Sequence, residues 1–191
     1  MSERPSSSND RPRWLTSAEL ETWHAFTLML YKLPTALEAQ LQQDARLSLV
    51  EYYVLAGLSD QLEHRMRMSE LAVLANSELS RLSHLISRLE KRGFVRREPD
   101  PANGRYTHAI LTDAGYAHLV EAAPAHVARV RELVYDALDP AELHGLRTAA
   151  EKIVRRIDHT GQVPCPPGGR GVENQPQRDA RQAAATQGPD A

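Results

Sequence analysis

Cysteine is almost missing: the 191-residue chain holds a single one, Cys165, so no disulfide can close within it and no multi-cysteine zinc site or two-cysteine redox switch is available. Aromatic residues are scarce at 5%, too few for the stacked platforms of a single-strand nucleic-acid binder. No segment approaches the roughly 18 consecutive apolar residues needed to span a bilayer. The first thirteen residues are rich in Ser, Pro and Arg and lack the apolar stretch of a secretory signal. A reducing, cytoplasmic location without a membrane partner is therefore expected. An overall basic charge is also lacking, since the formal net charge is −2, which at first argues against nucleic acid. The distribution reverses that reading. Between His64 and His108 stand nine Lys or Arg (65, 67, 81, 88, 91, 92, 96, 97, 105) against five acids (70, 78, 90, 98, 100).

What is present is a periodic body between two polar ends. A disordered arm is expected over residues 1–13 and a disordered tail, rich in Gly, Pro, Gln and Ala, over 161–191. Thr16 with Glu19 forms a capping box that opens a long helix carrying Leu20, Trp23, Phe26, Leu30 and Tyr31 at helical spacing. Pro34 should kink this helix without ending it, because Leu37 and Leu41 continue the pattern. Ser48 with Glu51 is a second capping box and predicts a helix over 49–59. A short helix over 69–75, a left-handed turn at Asn76 and a helix from about Glu78 to the αL stop at Gly93 follow. In the second of these, positions 79, 82, 86 and 89 are apolar, and Ser80, Arg81, His84 and Arg88 fall on the opposite stripe. Strands are expected over 94–98 and 106–111, joined by a hairpin whose signal is Asn103-Gly104. Thr112 caps a helix reaching about Ala137 and bending at Pro124, and Asp139-Pro140-Ala141-Glu142 opens the last one. The expected fold class is mainly α with a small β wing. A winged helix-turn-helix over 46–111 lies between dimerisation helices at 14–45 and 112–160, whose apolar stripes call for a partner chain.

The stretches RMSELA from Arg67, SRLSHLISRLEKRGFVRR from Ser80 and LTDAG from Leu111 resemble the MarR family, and the likeness covers roughly Leu47 to Leu119. The resemblance implies a triangular homodimer with two winged helix-turn-helix lobes that usually represses transcription and is often released from DNA by a small phenolic or lipophilic ligand. Double-stranded DNA, a second copy of the chain and a small aromatic or lipophilic effector are thus the expected partners, with no cofactor. One motif departs from the family: its wing usually carries Asp-x-Arg, and here the triplet is Asn103-Gly104-Arg105. Without the Asp, the Arg loses a charge-assisted partner.

The expected DNA-binding residues are Ser77, Ser80, Arg81, Ser83, His84, Arg88, Arg97 and Arg105. Short hydroxyls permit close approach of a helix to the major groove, and Arg or His reaches base edges, so Ser80, Arg81 and His84 are the base readers. Arg88, Lys91 and Arg92 lie toward the other end, suited to phosphate or water. Arg96 and Arg97 alternate along a strand, so at most one faces DNA. Arg105 at the wing tip suits a narrow A·T-rich minor groove. For an isolated helix the same stripe would read as a solvated face. Trp23, Tyr31, Tyr52 and Tyr53 are candidate lining of an effector pocket, with ordinary core packing as the alternative. The histidines at 118, 126, 144 and 159 show no i, i+4 pairing and no metal is expected. Cys165 lies in the tail without a feature that lowers its pKa. No nucleophile with a neighbouring base and no shaped carboxylate pair is evident, so no enzymatic activity is expected. The remaining alternative is a winged helix used for protein contact or for DNA compaction without an operator.

Overall fold

The computed structural model describes residues 12–101 and 103–158, so most of the expected arm and all of the expected tail, with Cys165 and His159, lie outside the described residues. The chain divides into two compact units between Thr35 and Ala36. In the first, helix α1 (Ser17–Ala45, shared with the second unit) starts at the expected box, with Thr16 N donating to Glu19 at 2.8 Å and Glu19 N donating to the Thr16 hydroxyl at 3.3 Å. Its apolar side chains in this unit remain open to solvent: Leu20, Trp23, Leu28, Leu30 and Tyr31 are all exposed. The helix runs through Pro34 without ending, and its buried residues Leu37, Leu41 and Ala45 all belong to the second unit.

The second unit is the winged helix. Helix α2 (Leu49–Ser59) opens on the Ser48–Glu51 box, with both reciprocal bonds made. A 3-10 turn at Leu62–His64 leads into strand β1 (Arg65–Arg67), then α3 (Met68–Leu74) and α4 (Leu79–Lys91). Asn76 takes the predicted left-handed conformation at φ 45° and Gly93 does so at 77°. Strands β2 (Val95–Pro99) and β3 (Thr107–Leu111) complete a three-stranded antiparallel sheet in the order β1-β3-β2. The third strand was not expected. Three residues are too short to show alternation, and β1 exists because Arg65, Met66 and Arg67 pair with Ile110, Ala109 and His108 of β3.

Leu41, Leu47, Leu55, Leu58, Leu71, Leu82, Ile86, Leu89 and Leu119 are sealed in one core beneath the sheet and helices. Leu79 departs from the expected inward set, since at 53% exposure the first residue of α4 lies ahead of the packed stripe. Helix α5 (Asp113–Val130) is capped by Thr112 as expected and contains Pro124. It does not continue as an α-helix to Ala137 but passes into a π-helical segment at Arg131–Tyr135, where Asp136 N reaches Arg131 O at 2.8 Å. Helix α6 (Pro140–Ile157) begins at the predicted Asp139 capping box and buries none of its residues.

Candidate nucleic-acid interface

Helix α4 is amphipathic in the sense its sequence demands: Leu82, Leu85, Ile86 and Leu89 are buried, whereas Ser80, Arg81, His84 and Arg88 are exposed. The left-handed Asn76 reverses the chain between α3 and α4, so that Ser77 and the first turn of α4 stand at the surface. Ser80, Arg81 and His84 therefore present a hydroxyl, a guanidinium and an imidazole from consecutive turns of one face. Neither Arg81 nor His84 has a hydrogen-bond or ion-pair partner among the described residues.

The other basic residues differ sharply. Arg97 donates to the Ser83 carbonyl at 2.6 Å and to the Ser87 hydroxyl at 3.2 Å, and pairs with Glu90 at 2.8 Å. It ties β2 to the flank of α4. Arg88 faces Glu51 at 3.4 Å, Arg96 pairs with Glu98, and Arg65 pairs with Glu63 at 3.5 Å. Arg67, which the sequence reading passed over, meets the buried carboxylate of Asp100 at 3.1 Å and lies over the Tyr106 ring at 4.8 Å. Its signal was available only through the strand pairing that brings β1 beside the wing. Asp100 thus serves Arg67, and it also lies 4.0 Å from His108.

The expected hairpin joins β2 to β3. Its connection from Asp100 to Tyr106 folds through two successive turns, with Asn103 N bonded to Asp100 O at 3.2 Å and Tyr106 N to Asn103 O at 2.9 Å. Gly104 lacks the positive φ that a type I′ Asn-Gly turn requires. Asn103 instead accepts from the backbone N–H of Arg105 through its side-chain oxygen at 3.2 Å, an Asx turn that shapes the tip. The exposed Arg105 guanidinium has no ion-pair partner among the described residues. Between the wing and α4 opens a cleft of about 360 Å³, lined among others by Arg67, Leu79, Ser83, Arg97, Arg105 and Tyr106.

The four candidate effector residues divide between the two units. Trp23 and Tyr31 are exposed in the first unit, at 53% and 73%. Tyr52 is a core residue whose ring centroid lies 4.3 Å from that of His126, the two rings tilted, and burial, with Tyr53 beside it, pushes its hydroxyl up to about 12. Tyr53 lies 6.3 Å from Tyr52 and is half-buried. Neither the wing cleft nor a second one of about 230 Å³, between Arg46 and His118, is lined by any of them. Among the described residues no group of three His, Cys, Asp or Glu could hold a metal ion, and no helix is long and apolar enough to cross a membrane.

Comparison with known proteins agrees with this architecture. Residues 47–107 match the model of the MarR family. The transcriptional repressor MprA of Escherichia coli is 28% identical over 111 residues, 58% of this chain and 62% of that protein, so the chain spans about three-fifths of the length of this curated relative. The crystal structure of Sco3205, a MarR family transcriptional regulator from Streptomyces coelicolor in complex with DNA, is 39% identical with a TM-score of 0.75, covering 79% of this chain and 98% of that one. AbsC from the same organism, also a MarR family transcriptional regulator, is 37% identical with a TM-score of 0.74, covering 76% and 98%. With this identity sustained over nearly the whole of two solved relatives, the chain belongs to the MarR family, whose members are transcriptional regulators and not enzymes.

Proposed function

We propose that this protein is a sequence-specific regulator of transcription that binds a pseudo-palindromic DNA operator as a homodimer and acts as a repressor released by a small aromatic or lipophilic effector. The observation that carries the DNA part is the pairing pattern of the basic residues: Arg81, His84 and Arg105 are left without internal partners at the two places where a winged helix meets a duplex. Ser80 and Ser83 on α4, and Ser77 in the turn before it, accompany them as short hydroxyls that permit close approach. The solved relative Sco3205 was crystallised with DNA, which supports the same use of this surface.

The homodimer is supported by apolar side chains that the single chain leaves uncovered, on α1 in the first unit and at Leu146, Ile153 and Ile157 on α6. A pseudo-palindrome follows from two-fold symmetry, because each recognition helix of the pair reads one half-site. Selection and sequencing of bound fragments from a random duplex pool tests the reading, repeated with a panel of aromatic compounds. The expected result is enrichment of one palindromic motif, with release by at least one compound. Recovery of unrelated fragments in proportion to their abundance would overturn operator recognition in favour of general DNA compaction or protein contact.

A further inference from the structure

We infer that Glu51 is a positioning residue for DNA recognition: it holds Arg88 and Arg92 against the protein and so keeps two sequence-blind cations off the DNA backbone. This rests on the proposed operator reading. Glu51 lies in the first turn of α2 and is only 6% exposed. One oxygen accepts the backbone N–H of Ser48 at 2.9 Å in the capping box and lies 3.8 Å from Arg92, and the other is 3.4 Å from Arg88. Arg88 and Arg92 are four residues apart at the end of α4, so both guanidiniums leave the helix on one face, toward the same carboxylate.

Capping alone does not call for a charge here, because Gln at this position closes a capping box as well as Glu does. A buried carboxylate is costly unless it is paired, and these two guanidiniums are the pair. Their situations differ. Arg92 also donates to the Arg46 carbonyl at 2.9 Å and stacks over Phe94 at 4.6 Å, so three contacts hold it. Arg88 is held through Glu51, and its side chain is 60% exposed. On a recognition helix, a free arginine near the C-terminal end would reach phosphate and add affinity for every sequence alike. Glu51 removes that contribution while leaving His84 and Arg81, one and two turns earlier, to meet base edges.

Glu51→Gln keeps the cap and removes the charge, so Arg88 should swing to phosphate. Binding of operator and random duplexes is measured by fluorescence anisotropy across salt concentrations from 50 to 300 mM. In the variant, the slope of log affinity against log salt should steepen by about one unit per protomer bound. Between 50 and 200 mM, each added contact should give about a threefold further loss of affinity. Operator and random duplexes should both bind more tightly at low salt and by about the same factor, because the added contact is blind to sequence. Adding Arg88→Met to Glu51→Gln should restore the wild-type slope. A slope unchanged or shallower in Glu51→Gln would overturn the role of Glu51 alone, whereas a wild-type protein that prefers no duplex would sink this inference together with the operator reading. If Glu51→Gln proves unfolded by circular dichroism, Arg88→Met alone decides: a wild-type slope is expected, and a shallower one would mean that Arg88 already sits on phosphate.

Discussion

An arginine serves base readout only when its guanidinium is not already neutralised by the protein that carries it, because a paired guanidinium must first give up its carboxylate. On that ground Arg81 and His84 separate from Arg88 and Arg97. Alanine at Arg81 or at His84 should lower operator affinity by about 1 to 3 kcal/mol while changing affinity for random duplex much less. Competition binding with unlabelled random DNA measures the difference, and equal losses on both duplexes would remove the residue from the base-reading set. A second residue-scale consequence concerns His126, buried beside Tyr52 with Nδ1 3.2 Å from the Gln40 side-chain oxygen. Burial holds its imidazole below the ordinary value of 6.5. Below that pH the unfolded chain takes up a proton that the folded chain refuses, so stability is full above about 6.5 and declines as pH falls toward the lowered folded value. His126→Phe, which keeps an aromatic ring against Tyr52 but cannot titrate, should flatten the fall of Tm below about pH 6.5 relative to wild type. Parallel curves would assign that acid sensitivity to other groups.

At the scale of elements, the Leu-Thr-x-x-Gly run from Leu111 to Gly115 shows how one motif joins the wing to α5. Thr112 accepts the Gly115 N–H at 3.0 Å, which caps α5, and donates its own hydroxyl to Gly93 O at 2.6 Å, which anchors the cap to the end of α4. Gly115 allows the close approach: a Cβ there would lie 2.1 Å from the Phe94 carbonyl oxygen and 2.9 Å from Leu111 Cδ1. Gly115→Ala must therefore push α5 off the backbone that follows α4, and chemical denaturation should show a loss of about 1 to 3 kcal/mol or more. A loss under about 0.5 kcal/mol would show that the junction yields freely. Helices were legible in the sequence where a capping box and a periodic stripe coincide, as at Ser48 and Asp139, because both signals are local. The sheet was legible only in part. β1 is fixed by its partner across 40 residues of chain, and the Asn-Gly pair marked the hairpin but not its turn geometry, which an Asx turn at Asn103 sets. The candidate site was legible as a stripe on α4, but not its division into free and paired cations. Glu51 and Asp100 are distant in sequence from Arg88 and Arg67, and nothing local announces those pairs.

For the whole molecule, the decisive quantity is the apolar surface that one chain cannot cover. Ile153 and Ile157, at 41% and 75% exposure, lie one turn apart on α6, a helix none of whose residues is fully buried among the described residues. Removing such surface from water is worth about 25 cal/mol per Å², so a second copy meeting it gains stability that the monomer lacks. Because both side chains are exposed, Ile153→Glu with Ile157→Glu should change the stability of the winged helix itself by no more than about 0.5 kcal/mol per site. Two buried carboxylates facing a partner would nevertheless oppose association. Light scattering at micromolar concentration should give twice the chain mass for wild type and the single chain mass for the variant. DNA binding should then separate the two effects of dimerisation. Each lobe keeps Arg81, His84 and Arg105, so affinity for an isolated half-site should be unchanged. Affinity for the full palindrome should drop by about 10²- to 10⁴-fold, since the second lobe is no longer held at high effective concentration. A variant that remains dimeric would move the interface away from α6, and a monomer that binds the full palindrome as tightly as wild type would show that each lobe acts alone.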